Sequence, residues 1–230
     1  MSGNNMIFHY GTTFYQASGI PNPYLIAIIV TLVNVIFAIP GIIALDSLGR
    51  RNNLIIGALG LAVSAYIVAI IGTVTSHPNT ADLNTIVVFI CVYVAFFATT
   101  WGPGIWVVIS EIYPLTVRAK SVALCTAVSW LCSLAISFAI PFMINPNQEN
   151  SCFKTFYLWG SFCFVSFIFI FFCLWETKGL SLEEINYLIS HSSPIGSAKL
   201  NKTMRTERTK TSNITNHGAT DTSPLLSSQN

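Results

Sequence analysis

Charged residues are scarce in this chain, and six that could form ion pairs lie in three short polar segments, each of which follows a long apolar run. They are Asp46, Arg50, Arg51, Glu111, Arg118 and Glu176. If the apolar runs are helices that fold back on one another, these acids and arginines converge on one face. Acid–arginine pairs at a packed interface can hold one arrangement of helices and release another. The sequence therefore predicts an ion-pair network. The alternative is that the arginines only orient the helices, because exposed pairs contribute little.

A single amide lies in the middle of the apolar run Tyr24–Leu45. Asn34 has only apolar residues and one threonine as near neighbours. A carboxamide offers two donors and an acceptor, which suits a ligand rich in hydroxyl groups. It can equally bond to a neighbouring helix and hold two helices together. Both interpretations of Asn34 stay open on the residues alone.

A Gly-Pro-Gly sequence lies in the apolar run Asn84–Ser110 and is followed closely by a tryptophan. Pro103 removes a backbone hydrogen bond, and Gly102 and Gly104 add flexibility, so we predict an interrupted helix with a hinge there. The indole of Trp106 can stack on the apolar face of a ring-shaped ligand and donate a hydrogen bond from its N–H. Alternatively, Trp106 belongs to the aromatic belt found at membrane interfaces.

The composition indicates a protein that lies in lipid. Of the 230 residues, 53% are hydrophobic and 9% are charged, whereas a soluble domain has roughly 25% charged residues. The net charge of +2 gives no indication of a nucleic-acid partner. We find no nucleophile–base pair, metal-ligand spacing or phosphate-binding loop in the sequence, so we expect neither an enzyme nor a bound metal or cofactor.

Five apolar runs reach the ~20 residues that a membrane-spanning helix needs. They are Tyr24–Leu45, Asn53–Val74, Asn84–Ser110, Ser121–Ile144 and Thr155–Trp175. Basic residues concentrate in every second connection, which the positive-inside rule assigns to the cytosol together with the C-terminus. A sixth run, Met6–Ser18, is too short to cross alone, and we expect it to be the end of a longer helix.

The segment from Ser190 onward is poor in large apolar residues and rich in serine, threonine, asparagine and lysine. We therefore divide the chain into a transmembrane bundle, residues 1–189, and a disordered cytosolic tail, residues 190–230. Within this tail, Asp221, Leu225 and Leu226 fit the acidic dileucine pattern that binds a coat adaptor. A functional dileucine signal would direct the protein to endosomal or vacuolar membranes rather than the plasma membrane.

Three strings also resemble the sugar porter family of the major facilitator superfamily, and they are most similar to fungal hexose transporters. They are D-x-x-G-R-R at 46–51, W-G-P-x-x-W-x-x-x-S-E-x-Y-P-x-x-x-R at 101–118, and E-T-K-G-x-x-L-E-E at 176–184. The family fold consists of two six-helix bundles around a central sugar site. The resemblance implies an all-α integral membrane fold that corresponds to the C-terminal bundle, with part of helix 7 and all of helices 8–12.

The resemblance also assigns roles to individual residues. Asn5, Asn34, Trp106 and Trp130 match positions that contact the sugar in the family. His9 and Tyr10 match an aromatic pair at the outer gate, where His9 replaces a ring that is usually tyrosine. With the Gly102–Gly104 hinge, these residues form the predicted gating elements. Many relatives have asparagine where this chain has Ser129.

The implied function is transport of a glucose-like hexose by alternating access, with the chain supplying the second half of the transporter. The expected partners are the lipid bilayer, the hexose and an N-terminal bundle in the same or a separate chain. We expect the chain alone not to carry sugar, since one bundle offers only half of a site. Two alternatives stay open: a truncated fragment that does not transport, and a transporter-like glucose sensor. The sequence decides neither the hexose nor whether protons are coupled.

Overall fold

The computed structural model is built of α-helices that run back and forth across one bundle. It describes residues 3–17, 22–74, 80–143, 151–180 and 182–191, and also 194, 196–197, 199–204 and 206. The helices are α1 (Asn4–Ala17), α2 (Pro23–Leu48), α3 (Arg50–Val74), α4 (Thr80–Phe96), α5 (Gly102–Ile112), α6 (Arg118–Met143), α7 (Ser151–Cys173) and α8 (Leu182–His191). A π-helical turn, Phe97–Trp101, joins α4 to α5.

Five helical segments are long and apolar enough to cross a membrane. They are Pro23–Leu48, Arg50–Val74, Ala81–Ile112, Arg118–Ile140 and Thr155–Cys173. Each contains most of one span predicted from the sequence, with ends that differ by a few residues. The all-α membrane fold is thereby confirmed, and α1 precedes these spans as a helix of 14 residues.

The core lies around α3, which packs against α7 and α4. The buried face of α3 carries mostly small residues, among them Gly57, Ala58, Ala62, Ala65 and Ala69. Small side chains let helix backbones approach closely, which is how helices commonly associate in lipid. Half of the most apolar stretch of α3 is buried, whereas only 6% of that of α6 is buried.

The third span, Ala81–Ile112, differs from the expected interrupted helix. Gly102, Pro103 and Gly104 are all helical, and the chain continues without a break from Thr80 to Ile112. The π turn provides the adjustment, because the Gly102 N–H donates to the carbonyl of Phe97, five residues back. Pro103, which has no N–H to donate, follows directly as the second residue of α5.

Two glycines on neighbouring helices leave the space that the π turn occupies. A Cβ atom on Gly41 of α2 would lie 2.8 Å from the Cα and the carbonyl oxygen of Thr99. A Cβ atom on Gly57 of α3 would lie 2.0 Å from the Thr100 hydroxyl oxygen. The wider turn therefore fills space that only glycine leaves open.

The chain after α8 is helical in part. The sequence places the start of a disordered tail at Ser190, yet α8 extends to His191 and residues 199–204 are helical. Ser197 and Asn201 are buried. We call the described residues between 194 and 206 the tail segment. Their polar side chains find partners in the loop after α7, which composition alone does not reveal.

Candidate functional site: a charge cluster and an aromatic cleft

The first candidate region is a charge cluster at the end of the bundle where α3 begins. Arg50 is its centre. Its guanidinium lies 3.0 Å from a carboxylate oxygen of Glu111 and 3.3 Å from one of Asp46. The Arg50 and Glu111 side chains are 15% and 21% exposed, whereas Asp46 is 70% exposed. The pair with Glu111 is therefore shielded from water, and the pair with Asp46 is not.

Glu176 joins the cluster through the backbone. One carboxylate oxygen accepts hydrogen bonds from the N–H groups of Arg50 and Lys178, each at 3.1 Å. Because Arg50 is the first residue of α3, Glu176 supplies a negative charge to a helix N-terminus, where the helix dipole favours it. Gly49 has φ +93°, and a Cβ there would lie 2.8 Å from the other Glu176 oxygen. Both the turn and the close approach therefore require glycine.

Two members of the cluster were missed in the sequence analysis. The Thr177 hydroxyl donates to the second carboxylate oxygen of Glu111 at 2.7 Å. The Lys178 ammonium donates to the carbonyl of Ser47 at the end of α2. Their position directly after Glu176, in the string that carries the resemblance, was the available signal. Thr177 and Arg50 together hold both oxygens of Glu111.

The structure does not place Arg51 and Arg118 in the ion pairs of the described residues. The Arg51 guanidinium donates to the carbonyl of Phe171 at 2.7 Å and lies 5.8 Å from the centre of its ring. Arg51 thus caps the end of α7 with positive charge. Arg118 donates to the carbonyl of Tyr113 at 3.3 Å. Both arginines satisfy backbone carbonyls at helix ends in this structure, whereas the ion-pair hypothesis joined them to acids.

The second candidate region is a cleft of about 660 Å³ between the π turn, α5 and α6. Trp106 and Trp130, the two predicted sugar-contacting tryptophans, both line it. The cleft also contains Trp101, which the sequence analysis did not single out. The Trp101 N–H donates to the carbonyl of Leu54 at 3.3 Å, so its ring is fixed.

The cleft opens away from the bundle. Trp106 is 49% exposed and Trp130 is 70% exposed. Two serines and two cysteines, Ser129, Ser133, Cys125 and Cys132, also line the cleft. The arrangement offers flat aromatic faces with a few hydroxyls, which suits a small neutral ligand with both apolar and polar sides. Among the described residues, no group of three or more metal-ligating side chains occurs.

The remaining predicted site residues are distributed differently. Asn34 is half-buried on α2 and does not line this cleft. The side chains of Asn5 and His9 lie outside the described residues, as do Asp221, Leu225 and Leu226. The chain just before α1 still reaches the region, because Gly3 lines the cleft.

Two tyrosines connect α6 to other helices near the two ends of the cleft. The Tyr10 hydroxyl donates to the carbonyl of Ser137 at 3.1 Å. The Tyr113 hydroxyl lies 3.7 Å from the sulfur of Cys125, and this contact raises the pKa of Tyr113.

Comparison with known proteins places both regions in a family. The family model described as "Sugar (and other) transporter" matches residues 1–189. Over 199 residues the chain is 41% identical to the major facilitator-type transporter ecdD of Aspergillus rugulosus, covering 82% of this chain and 37% of ecdD. It is 38% identical to the probable glucose transporter rco-3 of Neurospora crassa, in a match that covers 81% of this chain and 32% of rco-3. It is 37% identical to the high glucose sensor RGT2 of Saccharomyces cerevisiae, covering 89% and 27%.

A solved structure supports the same assignment. A crystal structure of a double tryptophan mutant of XylE matches with a TM-score of 0.71 at 28% identity, over 80% of this chain and 39% of that chain. The chain thus spans about a third of the length of the curated relatives it matches. It is a multi-pass membrane protein and belongs to the sugar transporter family of the major facilitator superfamily.

Proposed function

We propose that this chain forms the second helical bundle of a hexose transporter that works by alternating access. The observation that carries the proposal is the presence of Trp106 and Trp130 in one cleft. Indole rings suit the C–H face of a pyranose, and the serine hydroxyls beside them suit its hydroxyl groups. The names of two relatives, a probable glucose transporter and a high glucose sensor, support a hexose as the ligand.

The face that carries the cleft is where a first bundle would dock. In this chain α6 presents Trp130, Leu131, Leu134 and Phe138 with more than half of each side chain exposed. A first bundle on this face would close the cleft and complete the sugar site at the interface of the two halves. Asn34 and Asn5 stay predicted sugar contacts, although Asn34 does not line the cleft in this structure. His9, Tyr10 and the Gly102–Gly104 segment stay the predicted gates.

The charge cluster would act as the latch of the transport cycle. Arg50, Glu111 and Glu176 connect the start of α3, the end of α5 and the loop after α7. A set of ion pairs across three elements can hold one conformation and release another when the helices tilt. Following the positive-inside rule, we place this cluster and the C-terminus in the cytosol.

The test is hexose uptake by cells that express the protein from its own locus. Trp106→Ala should raise the KM for glucose about tenfold, since a stacked aromatic contributes ~1 kcal/mol or more. Phe169→Ala is the matched control, because Phe169 is an aromatic residue that is 64% exposed on α7 and does not line the cleft. Equal uptake by the two variants would argue against the cleft as the sugar site.

A second candidate function is glucose sensing, favoured by the likeness to RGT2. A sensor binds glucose in the same cleft without moving it across the membrane. Glucose binding with no counterflow in reconstituted vesicles would favour the sensor, and saturable counterflow would favour the transporter. A blot of the C-terminally tagged protein separates both from a non-transporting fragment, which would run near the chain's own 25.2 kDa.

The dileucine residues offer a proposal about location. Asp221, Leu225 and Leu226 would bind a coat adaptor and direct the protein to endosomal or vacuolar membranes rather than the plasma membrane. Imaging of a Leu225→Ala, Leu226→Ala double variant tests this, because loss of the signal should leave the protein at the cell surface.

A further inference from the structure

The tail segment contacts the charge cluster at Glu176 and Lys178. The Ser197 hydroxyl accepts a hydrogen bond from the Glu176 N–H at 3.1 Å and donates to the carbonyl of Pro194 at 2.6 Å. The Asn201 amide donates to the carbonyl of Glu176 at 2.8 Å and to that of Lys178 at 3.2 Å. Two side chains of the tail segment therefore take both backbone groups of Glu176.

These contacts are buried. Ser197 is 0% exposed, Asn201 is 4% exposed and Glu176 is 7% exposed. Buried backbone groups need hydrogen-bond partners, and leaving one without a partner costs more than an average hydrogen bond contributes. If the tail segment moved away, the backbone of Glu176 would lose two hydrogen-bond partners at once. The loop from 176 to 178 would then shift.

A shift of that backbone would reach the cluster directly. The Glu176 carboxylate binds the first N–H of α3, and Thr177 binds Glu111, the partner of Arg50. Residues 176–178 therefore lie between the tail segment on one side and the charge cluster on the other. The position of the carboxylate depends on what holds its backbone.

We propose that Ser197 and Asn201 are positioning residues for Glu176, so that the tail segment acts as a clasp that keeps the charge cluster closed. The consequence for sugar movement rests on the proposed function, but the positioning itself does not. Release of the clasp should free the Glu176 carboxylate from α3 and favour the conformation in which the cluster is open.

Hydrogen exchange on the full protein in lipid nanodiscs tests the positioning. Asn201→Ala should speed amide exchange at residues 176–178 and also at Arg50 about tenfold, since local opening becomes easier. Lys202→Ala is the matched control, because Lys202 is exposed on the same helical turns. Faster exchange confined to the tail segment, with unchanged protection at Arg50, would overturn the proposal.

Ser197 provides an independent variant with a conservative rescue. Ser197→Ala removes the acceptor of the Glu176 N–H and should reproduce the exchange at Arg50, whereas Ser197→Thr keeps the hydroxyl and should restore protection. If Ser197→Thr exchanges as fast as Ser197→Ala, the hydroxyl is not the cause and the clasp is wrong.

Uptake measurements then separate this proposal from the proposed function. The cluster lies on the cytosolic side in the proposed function, so its opening disfavours the conformation in which the sugar site faces the outside. Asn201→Ala should therefore raise the KM for external glucose severalfold while kcat changes less. No uptake by the unmodified protein would count against transport and leave the exchange result valid. Altered exchange at Arg50 with an unchanged KM would contradict the role of the clasp in the cycle.

Discussion

Helices α3 and α6 have similar lengths and similar apolar composition, yet α3 is far more buried in the bundle than α6. Half of the apolar stretch of α3 is buried and 6% of that of α6 is buried. α3 carries glycine and alanine where it meets its neighbours, whereas α6 carries Trp130, Leu131 and Phe138 on exposed positions. The difference teaches that α3 is the fixed centre of this bundle and that α6 presents a surface to a ligand or another bundle.

The ends of α3 strengthen this distinction. At its start, Glu176 from the loop after α7 binds the N–H of Arg50, and Arg51 binds the carbonyl of Phe171 at the end of α7. Each helix thus caps the other. Among the described contacts of α6 are single polar ones, the Tyr10 hydroxyl on the Ser137 carbonyl and the Cys125 thiol near Tyr113. The capped ends of α3 suit a helix that stays fixed, and the single polar contacts of α6 suit a helix that moves.

The largest expected effect comes from breaking the packing of α3. Gly57→Ala would place a Cβ 2.5 Å from the Cβ of Thr100, a contact that no side-chain rotation relieves. We expect a loss of ~1–3 kcal/mol of unfolding free energy, typical of overpacked cores, measured by thermal unfolding of the purified protein. Gly102→Ala is the control, because its Cβ would meet the nearest atom at 3.5 Å. Equal melting temperatures would contradict the close packing around the π turn.

An effect of comparable size is expected in the charge cluster. Glu111→Gln removes the shielded partner of Arg50 and should cost ~1.5–3 kcal/mol, as for hydrogen bonds to charged groups. Asp46→Asn removes the exposed partner of the same arginine and should cost at most ~1 kcal/mol. Thermal unfolding of the two variants side by side measures the difference. If Asp46→Asn were the more harmful, the burial argument for the cluster would be wrong.

The sequence was sufficient for the spans and for part of the cluster. Long uncharged runs have few alternatives to membrane helices, and Arg50, Glu111 and Glu176 meet because the ends of successive helices lie on one face. The destinations of Arg51 and Arg118 were not predictable in the same way. A guanidinium can satisfy a carbonyl as well as a carboxylate, and only the packed helix ends decide between them.

The π turn shows a second limit of sequence reasoning. Gly102 and Pro103 correctly indicated a disturbance of the helix, but its form depends on space that Gly41 and Gly57 provide from other helices. The partial order of the tail segment has a similar origin. Ser197 and Asn201 count as polar tail residues in composition, and they become ordered because Glu176 offers backbone partners.

The most direct test of the central claim, that the cleft beside α6 holds the sugar, is ligand protection of a thiol. Cys132 lines the cleft, whereas Cys173 is exposed at the end of α7 and does not line it. In full-length variants that retain only one of these cysteines, D-glucose should slow maleimide labelling of Cys132 and leave Cys173 unchanged, with L-glucose inactive. Labelling of Cys132 at the same rate with and without D-glucose would contradict the account.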